Sequence, residues 1–215
     1  MRALISNASS KPKLIALTEI KHKDKWDINL NELVIPGYNI FSNDLNTNSR
    51  GIIIYVSQDL TCKQIDCNNN FSEFSLLEIA CKDNMKLTIG VCYRSPSSKE
   101  DNDLKLFDLI NHLCTSKGGN LLLLGDFNWP NINWSSWTSS SKSGSELQFI
   151  DTLRKNFFTQ HINKPTRARG VDQPHILHLV LSNEPFIENI DILAPLGKSD
   201  HSLISIDCKL QTVDV

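Results

Sequence analysis

Short apolar runs rich in leucine and β-branched residues are the feature that most limits how this chain can fold. Each run is of strand length and is bounded by glycine or polar turn residues. The runs at 73–81 and 86–93 flank the turn-like Lys82-Asp83-Asn84, which predicts an antiparallel pair. The predicted strands are 14–18, 51–56, 73–81, 86–93, 121–124, 176–181 and 202–210.

Two other segments have helical spacing of their apolar residues. The first follows the capping residues Ser97 and Ser98 and ends before Gly118-Gly119, and the second covers 145–156. The serine-rich stretch 135–145 is predicted as an exposed loop. Because strands outnumber helices and do not alternate strictly with them, the sequence favours two packed mixed sheets with outer helices over a parallel doubly wound fold.

Length and charge exclude several classes of protein. The 215 residues predict one domain over 1–215, and 22 Lys and Arg against 24 Asp and Glu give a net charge of −2. No whole-molecule attraction to nucleic acid or to a membrane is expected, so a polyanionic substrate needs a local basic rim, for which Arg94 and Arg167 are candidates. No apolar run approaches the roughly 18 residues of a membrane span, and the start lacks a signal-peptide core. Six cysteines without a C-x-x-C pair predict free thiols.

Polar residues that suit catalysis follow several of the apolar runs, where side chains can project into a cleft. Carboxylates hold hard divalent cations, an aspartate accepts a proton from water, and a histidine beside a carboxylate completes acid–base chemistry. Together these residues predict metal-assisted hydrolysis of a phosphodiester. They are Glu19, Tyr93, Asp126 with Asn128, and Asp200 with His201.

Five segments carry a resemblance to a known family. In chain order they are Leu17-Thr18-Glu19, Val91-Cys92-Tyr93-Arg94-Ser95-Pro96, Gly125-Asp126-Phe127-Asn128, Pro165-Thr166-Arg167 and Ser199-Asp200-His201. The sequence resembles the endonuclease/exonuclease/phosphatase superfamily, which includes deoxyribonuclease I and the apurinic-site endonucleases. In detail it is most similar to the endonuclease domain of a non-LTR retrotransposon of the jockey or CR1 type.

The resemblance implies both a fold and an activity. The implied fold is a deoxyribonuclease I-like four-layer α/β-sandwich, in which two mixed, largely antiparallel sheets are flanked by helices and the site lies at one edge of the sheets. The implied activity is Mg²⁺-dependent nicking of double-stranded DNA, with Mn²⁺ as a substitute ion. The nick would leave a 3′-hydroxyl for the reverse transcriptase domain of a full-length element, which implies a nuclear location and no membrane.

The resemblance also implies roles for individual residues. Glu19 would ligate Mg²⁺, and Asp200 would support the metal side. Asp126 would activate the attacking water while Asn128 holds it in line. His201 would stabilise the charged phosphorane or shuttle a proton. The remaining three, expected to contact phosphate oxygens, are Tyr93, Thr166 and Ser199.

The sequence departs from the family pattern in two places. The family begins with a strand that ends in a metal-adjacent asparagine, whereas this sequence opens at Leu4-Ile5 in what reads as the next helix, so the first strand is expected to be missing. Asn7 is not a substitute for that asparagine. The second departure is His178, which stands where the family has an aspartate that pairs with the histidine at His201. Asp172 is the one candidate to replace that carboxylate.

Three functions therefore stay open at the level of sequence. The first is the DNA endonuclease, and the second is a catalytically impaired or inactive relic of it, favoured by the missing strand and by His178. The third is a phosphatase of the same superfamily that acts on phosphoinositides or other phosphomonoesters.

Overall fold

The computed structural model describes residues 11–21, 28–43, 49–66, 70–71, 73–116, 119–141, 144–168 and 173–213. The expectations that concern Leu4-Ile5, Asn7 and Asp172 lie outside these residues. Neither helix within the described ranges has the length and apolar character needed to cross a membrane.

Strands make up most of the regular structure. The helices are α1 (Glu100–Ser116) and α2 (Gly144–Lys155), with a 3₁₀ turn at Leu30–Leu33. The strands are β1 (Leu14–Thr18), β2 (Tyr38–Asn43), β3 (Ile52–Ser57), β4 (Cys62–Gln64), β5 (Phe74–Ala80), β6 (Lys86–Tyr93), β7 (Asn120–Asp126), β8 (Ile132–Asn133), β9 (Thr138–Ser139), β10 (Thr159–Gln160), β11 (His178–Ser182), β12 (Ile187–Leu193) and β13 (Leu203–Cys208).

A mixed six-stranded sheet is the centre of the fold. Its order is β10-β11-β7-β6-β5-β4, and only the β6–β7 pair is parallel, because α1 carries the chain back between those two strands. The other sheets are the antiparallel β1-β3-β2, the hairpin β12–β13 and the small hairpin β8–β9. The predicted mixed, largely antiparallel sheets with flanking helices are confirmed.

Apolar side chains on the two faces of the large sheet form separate cores. On one face, residues of β7 and β11 pack with α1 and α2 around Phe107 and Phe149. On the other face, residues of β5 and β6 pack against β3, with β12 and β13 also contributing side chains. A third cluster, around Tyr38 and Tyr55, lies on the outer side of the β1-β3-β2 sheet. This layering leaves the ends of β1, β6, β7 and β11 to carry the predicted site residues.

The edges of β1 and β13 are of interest because a missing first strand was expected. In the described part of the chain, β1 pairs with β3 alone and β13 pairs with β12 alone. Each strand therefore has one edge without a strand partner among those residues.

The five described cysteines are free thiols, as predicted.

Several elements were not predicted from the sequence. In β2 and β12, asparagine, serine or acidic residues stand between the apolar ones, so the apolar pattern that marks a strand is weak. The stretch predicted as an exposed loop contains β9, which pairs with β8 to form a hairpin. Trp129 and Trp134 on either side of β8 are buried in the core beside α2. They anchor this segment to the core.

Gly125 allows β6 and β7 to approach each other next to the predicted site. Its φ is +141°, which side-chain-bearing residues rarely adopt, and it lies opposite Cys92 in the parallel pair. A Cβ atom at this position would overlap the carbonyl oxygen of Cys92. Replacing Gly125 therefore requires the backbone itself to move.

We expect Gly125→Ala to lower the free energy of unfolding by about 3 kcal/mol or more, because overlap with backbone cannot be relieved by a side-chain rotation. Gly144→Ala, at the start of α2, is the matched control, since its Cβ would meet nothing closer than 3.9 Å. That control should change stability by less than about 1 kcal/mol. Urea unfolding of both variants measures the difference, and equal stability would contradict the argument.

Candidate active site

Three side chains from three neighbouring strands form a row at one end of the large sheet. Asp126, the last residue of β7, is opposite Tyr93 in the parallel β6–β7 pair and opposite His178 in the antiparallel β7–β11 pair. Residues directly opposite each other point to the same face of a sheet. Backbone pairing alone therefore brings a phenol, a carboxyl and an imidazole together.

Asp126 is the most buried member of this row, with 1% of its surface exposed. The backbone N–H of Asn128 donates to its Oδ1 at 3.2 Å, and its Oδ2 lies 4.0 Å from Nε2 of His178. Burial, followed by the nearby charge of Glu19, raises the pKa of Asp126 to about 7. A carboxyl with this pKa can take up and release a proton near neutral pH.

Glu19 and Tyr93 form a second pair beside Asp126. The Tyr93 hydroxyl donates to Oε1 of Glu19 at 2.8 Å, and Nε of Arg50 lies 3.6 Å from the same oxygen. Burial, and then the bond to Glu19, raises the pKa of Tyr93 well above its ordinary value, so the phenol keeps its proton. Tyr93 was expected to contact a phosphate, but in this structure its hydroxyl proton is directed to Glu19.

Two site residues adopt the left-handed backbone conformation. Glu19 has φ +53° and Asn128 has φ +50°. Asparagine tolerates this region, whereas for glutamate it is a strained conformation that the surrounding contacts must maintain. At Asn128 those contacts include the side chain, whose Nδ2 donates to the carbonyl of Arg94 at 2.8 Å. At Glu19 they are Tyr93 and Arg50.

His178 and His201 are in direct contact. Nε2 of His178 lies 2.6 Å from Nδ1 of His201, and the two rings stack with centroids 4.6 Å apart. Burial lowers the pKa of His178 to about 3 and also lowers the pKa of His201, although the charges of Asp200 and Glu19 act in the opposite direction on His201. Both rings are therefore neutral at pH 7. At position 178 an imidazole stands where the resemblance implies a carboxylate.

Asp200 belongs to an ion pair on the far side of His201. Nε of Arg167 donates to Asp200 Oδ2 at 3.1 Å, while Asp200 Oδ1 lies 3.8 Å from Nε2 of His201. Burial raises the pKa of Asp200, but the bond from Arg167 and other contacts outweigh it and lower the pKa below its ordinary value. In this structure Asp200 is next to Arg167 and His201.

Two predicted phosphate-binding residues are buried instead. Thr166 is fully enclosed, and its Oγ1 accepts the backbone N–H groups of Leu177 and His178 at 3.1 and 3.0 Å. It thereby fixes the start of β11 and the position of His178. The hydroxyl was expected to face a phosphate, which this burial prevents in the structure as it stands.

Arg94 is the second buried residue. It makes two bonds to Asp103, at 2.7 and 2.9 Å, and lies 4.1 Å from the ring centroid of Trp129. Its Nη1 also donates to the carbonyl of Asn128 at 3.1 Å. Arg94 therefore holds the loop after β7 in place, and a part in a DNA-binding rim stays a prediction. The burial of these two residues could not be predicted, because sequence does not show whether a polar side chain near a motif points inward.

A cavity of about 370 Å³ opens beside the row, lined among others by Asn128 and Arg167. Ser199 lies in an exposed loop, and its Oγ accepts the backbone N–H of His201 at 3.1 Å.

Arg50 was missed by the sequence analysis. It precedes β3, and the antiparallel pairing of β1 with β3 brings it next to Glu19.

A family model described as endonuclease-reverse transcriptase matches residues 87–205. The chain belongs to the endonuclease-reverse transcriptase family. This membership confirms the resemblance inferred from the five motifs and supports a nuclease-type function. No curated protein matches the chain.

Several solved structures share the fold of this chain. The endonuclease domain of TRAS1, a telomere-specific non-LTR retrotransposon, is 18% identical with a TM-score of 0.64, covering 83% of this chain and 81% of its own. The catalytic domain of Xenopus laevis APE2 is 14% identical with a TM-score of 0.63, covering 94% and 85%. An endonuclease/exonuclease/phosphatase family protein from Leptotrichia buccalis is 13% identical with a TM-score of 0.62, covering 97% and 90%. The deoxyribonuclease I-like fold is thereby confirmed.

The raised pKa of Asp126 makes stability depend on pH in a defined direction. An unfolded aspartate loses its proton near pH 4, whereas Asp126 in the folded chain keeps it up to about pH 7. The folded state therefore binds more protons between these values, and stability falls as the pH rises through this window.

We expect Asp126→Asn, which is neutral at every pH, to gain stability relative to the unmodified chain as pH rises from 4 to 8. The gain should reach a few kcal/mol, at about 1.4 kcal/mol for each unit of the pKa shift. Chemical unfolding in EDTA at the two pH values measures it. An exposed control, Asp151→Asn, should show no such change, and a gain that is independent of pH would contradict the assignment.

Proposed function

We propose that this chain is an Mg²⁺-dependent endonuclease domain that hydrolyses a phosphodiester bond in double-stranded DNA. The observation that carries the proposal is the meeting of Asp126, Glu19 and His201 at one end of the large sheet, beside an open cavity. A buried carboxyl with a pKa near 7, a partly exposed carboxylate and a neutral imidazole are the groups that this hydrolysis requires. Membership of the family supports the same activity.

The surroundings of Glu19 fit a magnesium ion. Its contacts with Tyr93 and Arg50 are both made through Oε1, which leaves Oε2 to face a cation. Mg²⁺ is commonly bound through one or two carboxylates, with water and substrate phosphate oxygens completing its shell. Glu19 would hold the ion, which when bound polarises the phosphoryl oxygens and offsets their charge. Mn²⁺ accepts the same oxygen ligands.

The chemistry proposed for the chain's own residues begins at Asp126. Its carboxylate takes the proton of the water that attacks phosphorus, while the bond between phosphorus and the 3′-oxygen breaks and that oxygen leaves with a proton from solvent. Asn128, whose amide is held by the carbonyl of Arg94, positions that water. An N–H of His201 donates to the phosphorane oxygens as negative charge accumulates there. Tyr93 positions the Glu19 carboxylate through its hydrogen bond.

Binding of the DNA backbone falls to residues around the cavity. Arg167 lines it, and Ser199 is exposed in the loop before His201. Arg167 supplies a local positive charge to phosphates on a chain whose net charge is −2. We further propose that the domain acts in the nucleus, with a reverse transcriptase domain that extends the 3′-hydroxyl of the nick.

A specific observation favours a second candidate, a catalytically impaired form of the same endonuclease. Nδ1 of His201 faces the imidazole of His178 at 2.6 Å, where a carboxylate would stabilise the protonated ring. A neutral imidazole gives an imidazolium no charge compensation, and a protonated one would repel it. On this candidate the chain binds DNA but cleaves it slowly.

We expect the unmodified chain to nick supercoiled plasmid DNA in the presence of Mg²⁺ and not in EDTA. Asp126→Ala should lower the rate by about 100-fold or more, because general-base catalysis is lost. Asp151→Ala, an exposed acidic residue on α2, is the matched control and should leave the rate unchanged. Conversion of supercoiled to open-circular plasmid on a gel measures the rate.

His178→Asp separates the two candidates. We expect it to raise the nicking rate about tenfold or more, since a carboxylate beside His201 stabilises the imidazolium. Nicking by the unmodified chain above the Asp126→Ala level supports the active endonuclease. Nicking by His178→Asp alone supports the impaired form, and no nicking by either protein contradicts the proposed function.

A further inference from the structure

Three potential metal ligands lie around one point in the candidate site: Asp126, His178 and His201. One ligand atom from each side chain lies within 4.8 Å of the other two, and no other group of three or more His, Cys, Asp or Glu residues in the described chain does so. Asp126 is buried, and the two histidines are partly buried. Glu19, proposed above for Mg²⁺, is not a member of this group.

The donor set of this cluster differs in kind from an oxygen-only site. Two imidazole nitrogens and one carboxylate suit borderline ions such as Zn²⁺, whereas Mg²⁺ prefers oxygen ligands and gives up its water reluctantly. Three protein ligands with an open fourth position are also typical of accessible zinc sites. The selectivity would come from His178, because an aspartate at this position would restore an oxygen-rich set.

The distances are close to those that such an ion needs. Nε2 of His178 is 2.6 Å from Nδ1 of His201 and 4.0 Å from Oδ2 of Asp126. Two nitrogens bound to tetrahedral zinc at about 2.0–2.1 Å lie about 3.3 Å apart, between these two values. Each of these two distances therefore has to change by less than about 1 Å, which side-chain rotation of the two histidines can supply.

The surroundings already orient two of the ligands. The ring nitrogen of His201 that faces away from His178 lies 3.8 Å from Oδ1 of Asp200, which favours the tautomer with a lone pair on Nδ1. Arg167 holds Asp200 in that place through a 3.1 Å bond. The backbone of His178 is fixed by Thr166, whose Oγ1 accepts its N–H at 3.0 Å. Carboxylates and hydrogen bonds behind the ligands are typical of protein metal sites.

We propose that Asp126, His178 and His201 bind a borderline transition-metal ion, with Zn²⁺ as its representative, through a ligand set separate from the Glu19 carboxylate. The inference rests on the cluster and not on the proposed nuclease activity. An ion bound there would occupy Asp126 and His201, so zinc and the proposed hydrolysis would compete for the same side chains.

The test is calorimetric titration of the metal-free chain with Zn²⁺, without DNA and with Mg²⁺ in large excess. We expect one Zn²⁺ per chain to bind in this cluster, and His178→Gln and His201→Gln each to weaken that binding by about tenfold or more. His161→Gln is the matched control, because His161 is a partly buried histidine that bonds to Ser182 at 2.8 Å outside the cluster. Its affinity for Zn²⁺ should be unchanged. Circular dichroism checks that each variant is folded.

X-ray absorption at the zinc edge of the unmodified chain keeps the test decisive if a variant fails to fold. We expect two imidazole ligands and oxygen ligands at zinc distances. Sulfur ligands would assign the ion to cysteines and overturn the proposal. Absence of Zn²⁺ binding, or unchanged affinity in both folded histidine variants, would also overturn it. Failure of plasmid nicking would leave these results unaffected, so the two proposals can fail independently.

Discussion

The hydrogen-bonding register of β7 with its two neighbours is the constraint on which the site depends. The parallel ladder to β6 sets Asp126 opposite Tyr93, and the antiparallel ladder to β11 sets it opposite His178. A slip of one residue in either ladder would turn one of these side chains to the other face of the sheet. Gly125 lets the two strands pair closely in this register, because a side chain at this position would overlap the backbone of Cys92.

Burial at the end of this ladder brings acidic and basic groups to the same neutral state. The pKa of Asp126 rises to about 7, and the pKa of His178 falls to about 3. Burial is the largest cause of both shifts; the charge of Glu19 also raises the pKa of Asp126, and the charge of Arg167 opposes this in part. The site therefore contains a carboxyl that ionises near pH 7, as a general base needs, and two neutral imidazoles that contact each other.

His178 links the two proposals for this chain. Compared with the carboxylate that the family pattern has at this position, its imidazole removes the charge that would support a protonated His201. The same imidazole adds a nitrogen donor to the cluster around Asp126. On the two proposals, the imidazole at this position would weaken acid–base chemistry and favour a softer cation, because it supplies a nitrogen ligand and no negative charge. Thr166 and Arg167 hold the pair of rings in position from outside.

Local patterns in the sequence determined a large part of the fold and predicted the candidate site. Apolar runs predicted β1, β3, β5, β6, β7, β11 and β13, helical spacing predicted both helices, and motifs at the strand ends gave the candidate site residues Glu19, Asp126 and His201. These are properties of neighbouring residues, so they can be recognised without knowing the packing. Only the tertiary structure decided that Tyr93 donates to Glu19, 74 residues away, and that Thr166 and Arg94 point inward. It likewise decided that His178 contacts His201 directly. Such contacts depend on strand register and on burial, which arise between residues far apart in the chain.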